Sequence, residues 1–377
     1  MKILEYHYQD VDEPGWDFAS VKFGKINLLV GDTATGKSRL LHTIFNLGRF
    51  VAAKEFKNGS WDMVFEHGGI TYTWSLKTEK REDERKPGIV VRDYLWRHDQ
   101  NQLTPLVERD SNSFSFAGKQ TPKLPPSETS ISLLQEEQAI KPVHQAFSII
   151  QRRLFNQDAL SAASSLHTLP KRVIDTMEEK KDLLKLFTAQ MNLSANLFVL
   201  WKYFHDIYSQ IVENYRKTFP FIQEARVEEF TKLQPDVPVG GQFPVFTIQE
   251  RGSNRWIPVT EFSSGMQKVL LILTDIFILP NGGVYIIDEY ENSLGINAID
   301  FFPQFVLELE KDIQFFITSH HPYIINEIPP TNWYVFHRNG MQVSIKYGEE
   351  LAEKFGRSKQ QAFTQLINDP FFAQGVE

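Results

Sequence analysis

The eight residues GDTATGKS, Gly31 to Ser38, constrain this chain more than any other stretch. They fit the pattern of glycine, four free positions, glycine, lysine and a hydroxyl residue, and each fixed position has a physical reason. Gly31 and Gly36 lack a β-carbon, so the backbone can take a tight path that turns the N–H groups of Asp32, Thr33, Ala34 and Thr35 inward onto phosphate oxygens. Lys37 supplies a point charge for the β and γ phosphates, and the Ser38 hydroxyl can bind Mg²⁺. KINLLV, residues 25 to 30, reads as a strand, and RLLHTIFNLGRFVAA after the loop has helical spacing. The phosphates would then sit on a helix N-terminus, where the backbone dipole favours anions. Arg39, the first residue of that run, is counted with the loop as a nucleotide contact.

With 377 residues the chain can bury a large core and divide into two or three domains or one two-lobed unit. A net charge of −7 gives no global pull toward nucleic acid or an anionic membrane. No cysteine is present, which excludes disulfides, thiolate zinc sites and cysteine nucleophiles and suits a reducing cytoplasm. The N-terminus MKILEYHYQD has no apolar signal core. The longest strongly apolar run, Val269 to Leu279, carries Asp275 and is too short to span a bilayer. The expectation is a soluble cytoplasmic protein with no membrane partner.

Residues 1 to 30 read as two strands, KILEYHYQD and then FASVKF running into INLLV, joined by the acidic turn DVDEPGWD. WDMVFEHGGITYTWSLK alternates around Gly68–Gly69 as a hairpin, and EKREDERK after it reads as a solvated loop. Residues 110 to 130 are rich in serine and proline and read as a loop, and a helical region is expected over most of 139 to 230. In NLFVLWKYFHDIYSQIVENY, apolar residues recur at Leu197, Leu200, Trp201, Phe204, Tyr208, Ile211 and Tyr215, a spacing that predicts one amphipathic helix. A second hairpin, Phe243 to Phe262, delivers the chain to SSGMQK and a helix from Met266 to Leu279. The strands VYIID and IQFFITSH follow, then a hairpin turning at Asn339–Gly340 and a helical tail.

VYIIDE places Asp288 and Glu289 at the end of a buried strand, where a carboxylate pair is costly unless it meets a cation or a reacting water. In phosphoryl transfer Asp288 would hold Mg²⁺ through its water shell and Glu289 would polarise the attacking water. SSGMQK offers the hydroxyls of Ser263 and Ser264 and the N–H of Gly265 at a helix start, as an anion site or as an N-cap. Gln267 is counted with the same contact set. His320 follows another strand end, where an imidazole could hydrogen-bond a γ-phosphate.

In this order, GDTATGKS, SSGMQK, VYIIDE with ENSL, then TSH, the sequence resembles the ABC-type ATPase heads. More closely it is similar to the bacterial single-chain ATPases grouped with the RecF, SMC and OLD proteins, many of which serve in defence against phage. The resemblance covers about residues 1 to 50 and 243 to 335. It implies an α/β fold: a P-loop NTPase of ABC-ATPase type with an N-terminal antiparallel β subdomain and a helical lobe inserted between phosphate loop and signature. The segments expected are 1–138 and 241–348 for the head, 139–240 for the helical lobe or coiled-coil stub and 349–377 for the tail.

By the same resemblance, Gly31, Gly36, Lys37 and Ser38 match the phosphate loop, and Asp288 and Glu289 match the metal-holding and water-activating acids. Ser264 and Gly265 match the signature that caps a γ-phosphate bound by a second subunit. Glu291 to Leu294 match the loop that crosses the dimer seam, and His320 matches the switch histidine. ATP with Mg²⁺ would be the cofactor, ATP hydrolysis the reaction and a homodimer closed over ATP the working form. A glutamine that senses Mg²⁺ is expected before the helical region, with Gln135 and Gln138 both open. The signature lacks the leucine-led, two-glycine form usual in transporters, and ENSLGI departs from many relatives at its glycine and isoleucine. The leading expectation is a switch or motor for a separate effector, a nuclease or toxin, in anti-phage defence. The alternative is a DNA-binding ATPase of recombination or repair, with a transporter subunit behind both. Arg152, Arg153, Lys171, Arg172, Lys180 and Lys181 could line a DNA-facing groove, but Glu178, Glu179 and Asp182 among them make a solvated helix face the plainer reading.

Overall fold

The structure is a computed structural model that describes every residue except 13, 84, 100–101, 154, 156, 166, 234–235, 237–241, 353–358 and 377. Its contacts divide the chain into two units. The first is Met1–Arg153, Asn281–Tyr290 and Glu310–Glu377, and the second is Leu154–Pro280 with Glu291–Leu309. This grouping differs from the four segments expected: the signature helix falls in the second unit and the tail in the first.

The first unit begins with β1 (Lys2–Gln9), β2 (Asp17–Lys22) and β3 (Ile26–Gly31). After the helix Lys37–Ala52 come β4 (Ser60–His67), β5 (Ile70–Glu79), β6 (Ile89–Asp99), β7 (Gln102–Asp110), β8 (Phe114–Phe116) and β9 (Lys119–Gln120). The four residues of β10 (Ile150–Arg153) lead to the second unit, whose three-stranded antiparallel sheet is β11 (Ile222–Glu229), β12 (Pro244–Glu250) and β13 (Trp256–Pro258). The chain returns with β14 (Gly283–Ile287), β15 (Ile313–Thr318), β16 (Trp333–Asn339) and β17 (Gln342–Tyr347). Among the described residues, the strands of the first unit form one sheet in the order β10-β14-β15-β3-β16-β17-β2-β1-β4-β5-β6-β7-β8-β9.

That sheet has two halves with different sequence patterns. From β10 to β16 neighbouring strands are parallel, and β3, β14 and β15 are buried at every position. Parallel strands covered on both faces need continuous apolar runs, which INLLV, GVYII and IQFFIT supply. The half from β1 to β9 is antiparallel, with partly alternating burial. The helix Lys37–Ala52 buries Leu40, Leu41, Ile44, Leu47 and Val51 in one stripe. Gly48 lets it lie close to β10, since a Cβ there would stand 3.2 Å from Ile150 Cδ1.

Several expectations are corrected. FASVKF does not run into INLLV: β2 and β3 are separated in the sheet by β16 and β17. Asn27 holds the corner between them, accepting from Gly24 N–H and donating to the Gly24 and Phe315 carbonyls. The single helix over NLFVLWKYFHDIYSQIVENY is two, Leu193–Tyr203 and His205–Thr218, broken where Phe204 takes φ −133, ψ 55. The first half packs chiefly on β12 and the second chiefly on the helix Ser264–Ile278, and Trp201 is 43% exposed rather than part of a buried stripe. Residues 139 to 230 also contain β10 and β11, and the serine- and proline-rich loop contains the short pair β8 and β9. No helix among the described residues is long and apolar enough to cross a membrane.

Candidate nucleotide site

Three parallel neighbours, β14, β15 and β3, end on one edge of the sheet, so the residues after Ile287, Thr318 and Gly31 share it. Open α/β sheets collect ligands at such an edge. A cavity of about 340 Å³ lies there, bounded by Thr33, Lys37, Ser38, Glu289, His320 and Trp16 among others.

The loop geometry explains its glycines. Gly36 has φ 98 and a Cβ on it would stand 2.9 Å from Trp16 Cζ3, and one on Gly31 would stand 2.8 Å from the Phe336 carbonyl oxygen. Ala34 is also left-handed, at φ 66. The Lys37 ammonium is folded onto the loop, donating to Gly31 O at 2.8 Å and Asp32 O at 2.7 Å. Thr35 Oγ1 donates to Asp32 O, Thr33 N–H to Asp32 Oδ1, and Arg338 reaches Ala34 O at 3.0 Å. The helix Lys37–Ala52 starts at Gly36 without a side-chain cap, which leaves its N-terminal N–H groups to whatever occupies the loop.

The two acids are fixed by β15. Thr318 Oγ1 donates to Asp288 Oδ1 at 2.7 Å and accepts from Glu289 N–H at 2.7 Å. Ser38 Oγ donates to the same Asp288 oxygen at 2.9 Å, so the hydroxyl and the carboxylate expected to share a metal are adjacent. Among the described residues no group of three or more His, Asp or Glu could hold a metal ion alone. One hydroxyl and one carboxylate suit Mg²⁺, which keeps waters and takes substrate phosphate oxygens as its remaining ligands. Glu289 is exposed to the cavity and held at φ 52. His320 lies two residues past the end of β15, exposed on the same cavity, while His321 caps the helix Pro322–Glu327 by accepting from Tyr323 N–H.

Trp16, Arg338 and Arg152 belong to this site and were not visible as members of it in the sequence. Trp16 lines the cavity, with the Arg39 and Arg338 guanidinium carbons 5.0 and 4.8 Å from its ring centre. Its only sequence signal is an aromatic residue inside an acidic turn. Arg152, on β10, pairs with Asp288 Oδ2 at 3.2 Å. That contact takes it off the solvated helix face that was the plainer expectation, while Lys171, Arg172, Lys180 and Lys181 stay exposed in the second unit. Gln135 and Gln138, in the turn before the helix Lys141–Ser148, are not among the cavity's described lining residues.

In the second unit, Ser263 caps the helix Ser264–Ile278, its hydroxyl accepting from Met266 N–H, and Ser263 and Ser264 are exposed. Gly265 lets the loop Glu291–Leu294 approach, since a Cβ there would stand 3.0 Å from Ser293 O. Buried Lys268 ties helix and loop together by donating to Asn292 O at 2.8 Å. Gln267, expected as a nucleotide contact, is buried and donates to Val259 O at 2.9 Å, so its amide serves the interior of its own unit.

A family model described as "AAA domain, putative AbiEii toxin, Type IV TA system" matches residues 26–326. No curated protein matches the chain. Among solved structures, the chain is similar to an SmcHead bound to the C-winged helix domain of ScpA, at 12% identity and TM-score 0.51, covering 92% of this chain and 98% of that one. It is similar at the same TM-score of 0.51 to the Smc head domain with an extended coiled coil bound to the C-terminal domain of ScpA derived from Pyrococcus furiosus. The identity there is 13%, and 94% of this chain and 98% of that chain are covered. At such identities the likeness is one of fold.

Proposed function

The chain belongs to the AAA-domain family of the putative AbiEii toxin type, with the fold of Smc-type P-loop ATPase heads, and on that premise we propose that it binds and hydrolyses ATP. One observation carries the reading: Ser38, Asp288 and Thr318 are joined by hydrogen bonds where three parallel strands end, with Glu289 and Lys37 on the same cavity. Mg²⁺ held at Ser38 and Asp288 would supply charge neutralisation to the β and γ phosphates. The loop N–H groups and Lys37 bind and orient the triphosphate, Glu289 takes the proton of the attacking water, and His320 holds a γ-phosphate oxygen.

The finer part of the proposal is that two heads close over ATP, each presenting Ser264 and Gly265 to the nucleotide of the other. Support comes from exposed hydroxyls at an N-capped helix start, packed through Gly265 on the loop Glu291–Leu294. The family description names a putative toxin of a type IV toxin–antitoxin system, which favours an antitoxin partner in trans over a recombination or repair role; an effector in anti-phage defence is the further reading that the motif order suggests. ATP turnover and binding test the site together. Glu289→Gln is expected to lower kcat by about 10²- to 10⁴-fold while ATP still binds, and Lys37→Ala to abolish binding. Turnover unchanged in Glu289→Gln would remove Glu289 from the reaction.

A further inference from the structure

The Arg152 guanidinium is held at both ends. Nη2 donates to Asp288 Oδ2 at 3.2 Å, and Nη1 lies 2.7 Å from His42 Nδ1. His42 sits one turn beyond Ser38 on the same helix, and partial burial followed by the Arg152 charge pushes its pKa below the ordinary value, so the neutral ring accepts this bond. Both side chains of the ion pair are nearly out of solvent, at 12% exposure each. The third donor, Nε, is buried and has no hydrogen-bond partner among the described residues.

Three donors converge on the Asp288 carboxylate: Oδ1 receives two hydroxyl donors and Oδ2 receives an arginine. A divalent cation brought to Ser38 and Asp288 would meet a full positive charge already on the carboxylate. Register fixes this arrangement, because Arg152 pairs with Ile286 on β14, placing its side chain beside the end of the strand that carries Asp288. Resting on the nucleotide-site reading above, we propose that Arg152 is the built-in counter-ion of Asp288, with which a divalent metal has to compete for the carboxylate. Divalent metal binding displaces it, and Arg152 thereby sets how much metal the site needs before nucleotide binds tightly. It is a positioning residue that acts through Asp288.

The test is the Mn²⁺ dependence of binding of a fluorescent ATP analogue to the full chain, read at equilibrium without turnover. Arg152→Met removes the competing charge and keeps the stem, so the half-saturating Mn²⁺ concentration is expected to fall about tenfold. His42→Ala, a change at a half-exposed ring, frees Nη1 only and moves the midpoint the same way by less. A merely structural role would raise the midpoint or lose binding in both variants, and either result would overturn the proposal, as would an unchanged midpoint in Arg152→Met. If the wild-type chain binds the analogue no better than Lys37→Ala at any Mn²⁺ concentration, the nucleotide-site reading itself fails and the counter-ion role goes with it.

Discussion

Glu289 shows how a single residue is made to serve a site against its own preference. A left-handed backbone costs a non-glycine residue about 1–2 kcal/mol, yet Glu289 is kept at φ 52 because Thr318 accepts its N–H and, through its carbonyl, that of Tyr290. Thr318 thus orients both acids, one through its hydroxyl proton and one through its lone pair. Trp16 borders the cavity with Phe18 stacked on its ring and two guanidinium groups beside it, so whether it meets the nucleotide base is a matter for measurement. Trp16→Ala is expected to weaken ATP binding about tenfold while leaving inorganic triphosphate binding unchanged, measured by competition against a fluorescent analogue. Equal losses for both ligands would show that the ring supports the loop through Gly36 rather than the base.

At the scale of elements, the phosphate loop and the strand end VYIIDE were legible because each fixed position answers a chemical need that few other residues meet. The strand β10 was not. Ile-Gln-Arg-Arg has only four residues and two charges, and it is a strand because Ile150 to Arg153 pair with Val284 to Ile287 on β14. Arg152 consequently reads as one cation of a solvated helix face when it is the partner of Asp288. The break at Phe204 was hidden for a different reason: apolar residues keep a helical spacing on both sides of it, and periodicity does not register a change of packing partner.

A clip between strands in the antiparallel half gives a pH dependence. His7 on β1 lies 3.3 Å from Asp17 on β2 and 3.6 Å from Asp62 on β4. The nearby Asp62 carboxylate, then burial acting against it, then the Asp17 charge set the His7 pKa above its ordinary value, and His7 holds Asp62 below its own. A raised folded-state pKa means that the clip's stabilisation is complete below about pH 6.5 and is lost as pH rises through the folded value. These side chains are about a third exposed or more, so the effect is small. The wild-type urea midpoint is expected to fall slightly between pH 6 and pH 8 relative to His7→Gln. An identical pH slope in the two proteins would remove the clip's contribution.

For the whole molecule, the two units carry complementary halves of the proposed chemistry: the phosphate loop and acids in one, Ser264, Gly265 and the loop Glu291–Leu294 in the other. The proposed function needs both halves in each of two copies, because the signature of one head is to close the nucleotide of its partner. The most direct test is the solution mass of Glu289→Gln by sedimentation equilibrium, with and without ATP and Mg²⁺. The expected result is the 43.7 kDa chain alone without nucleotide and twice that mass with it, reversed when Lys37→Ala is added. Glu289→Gln that binds ATP yet stays at the mass of one chain would contradict the closed dimer.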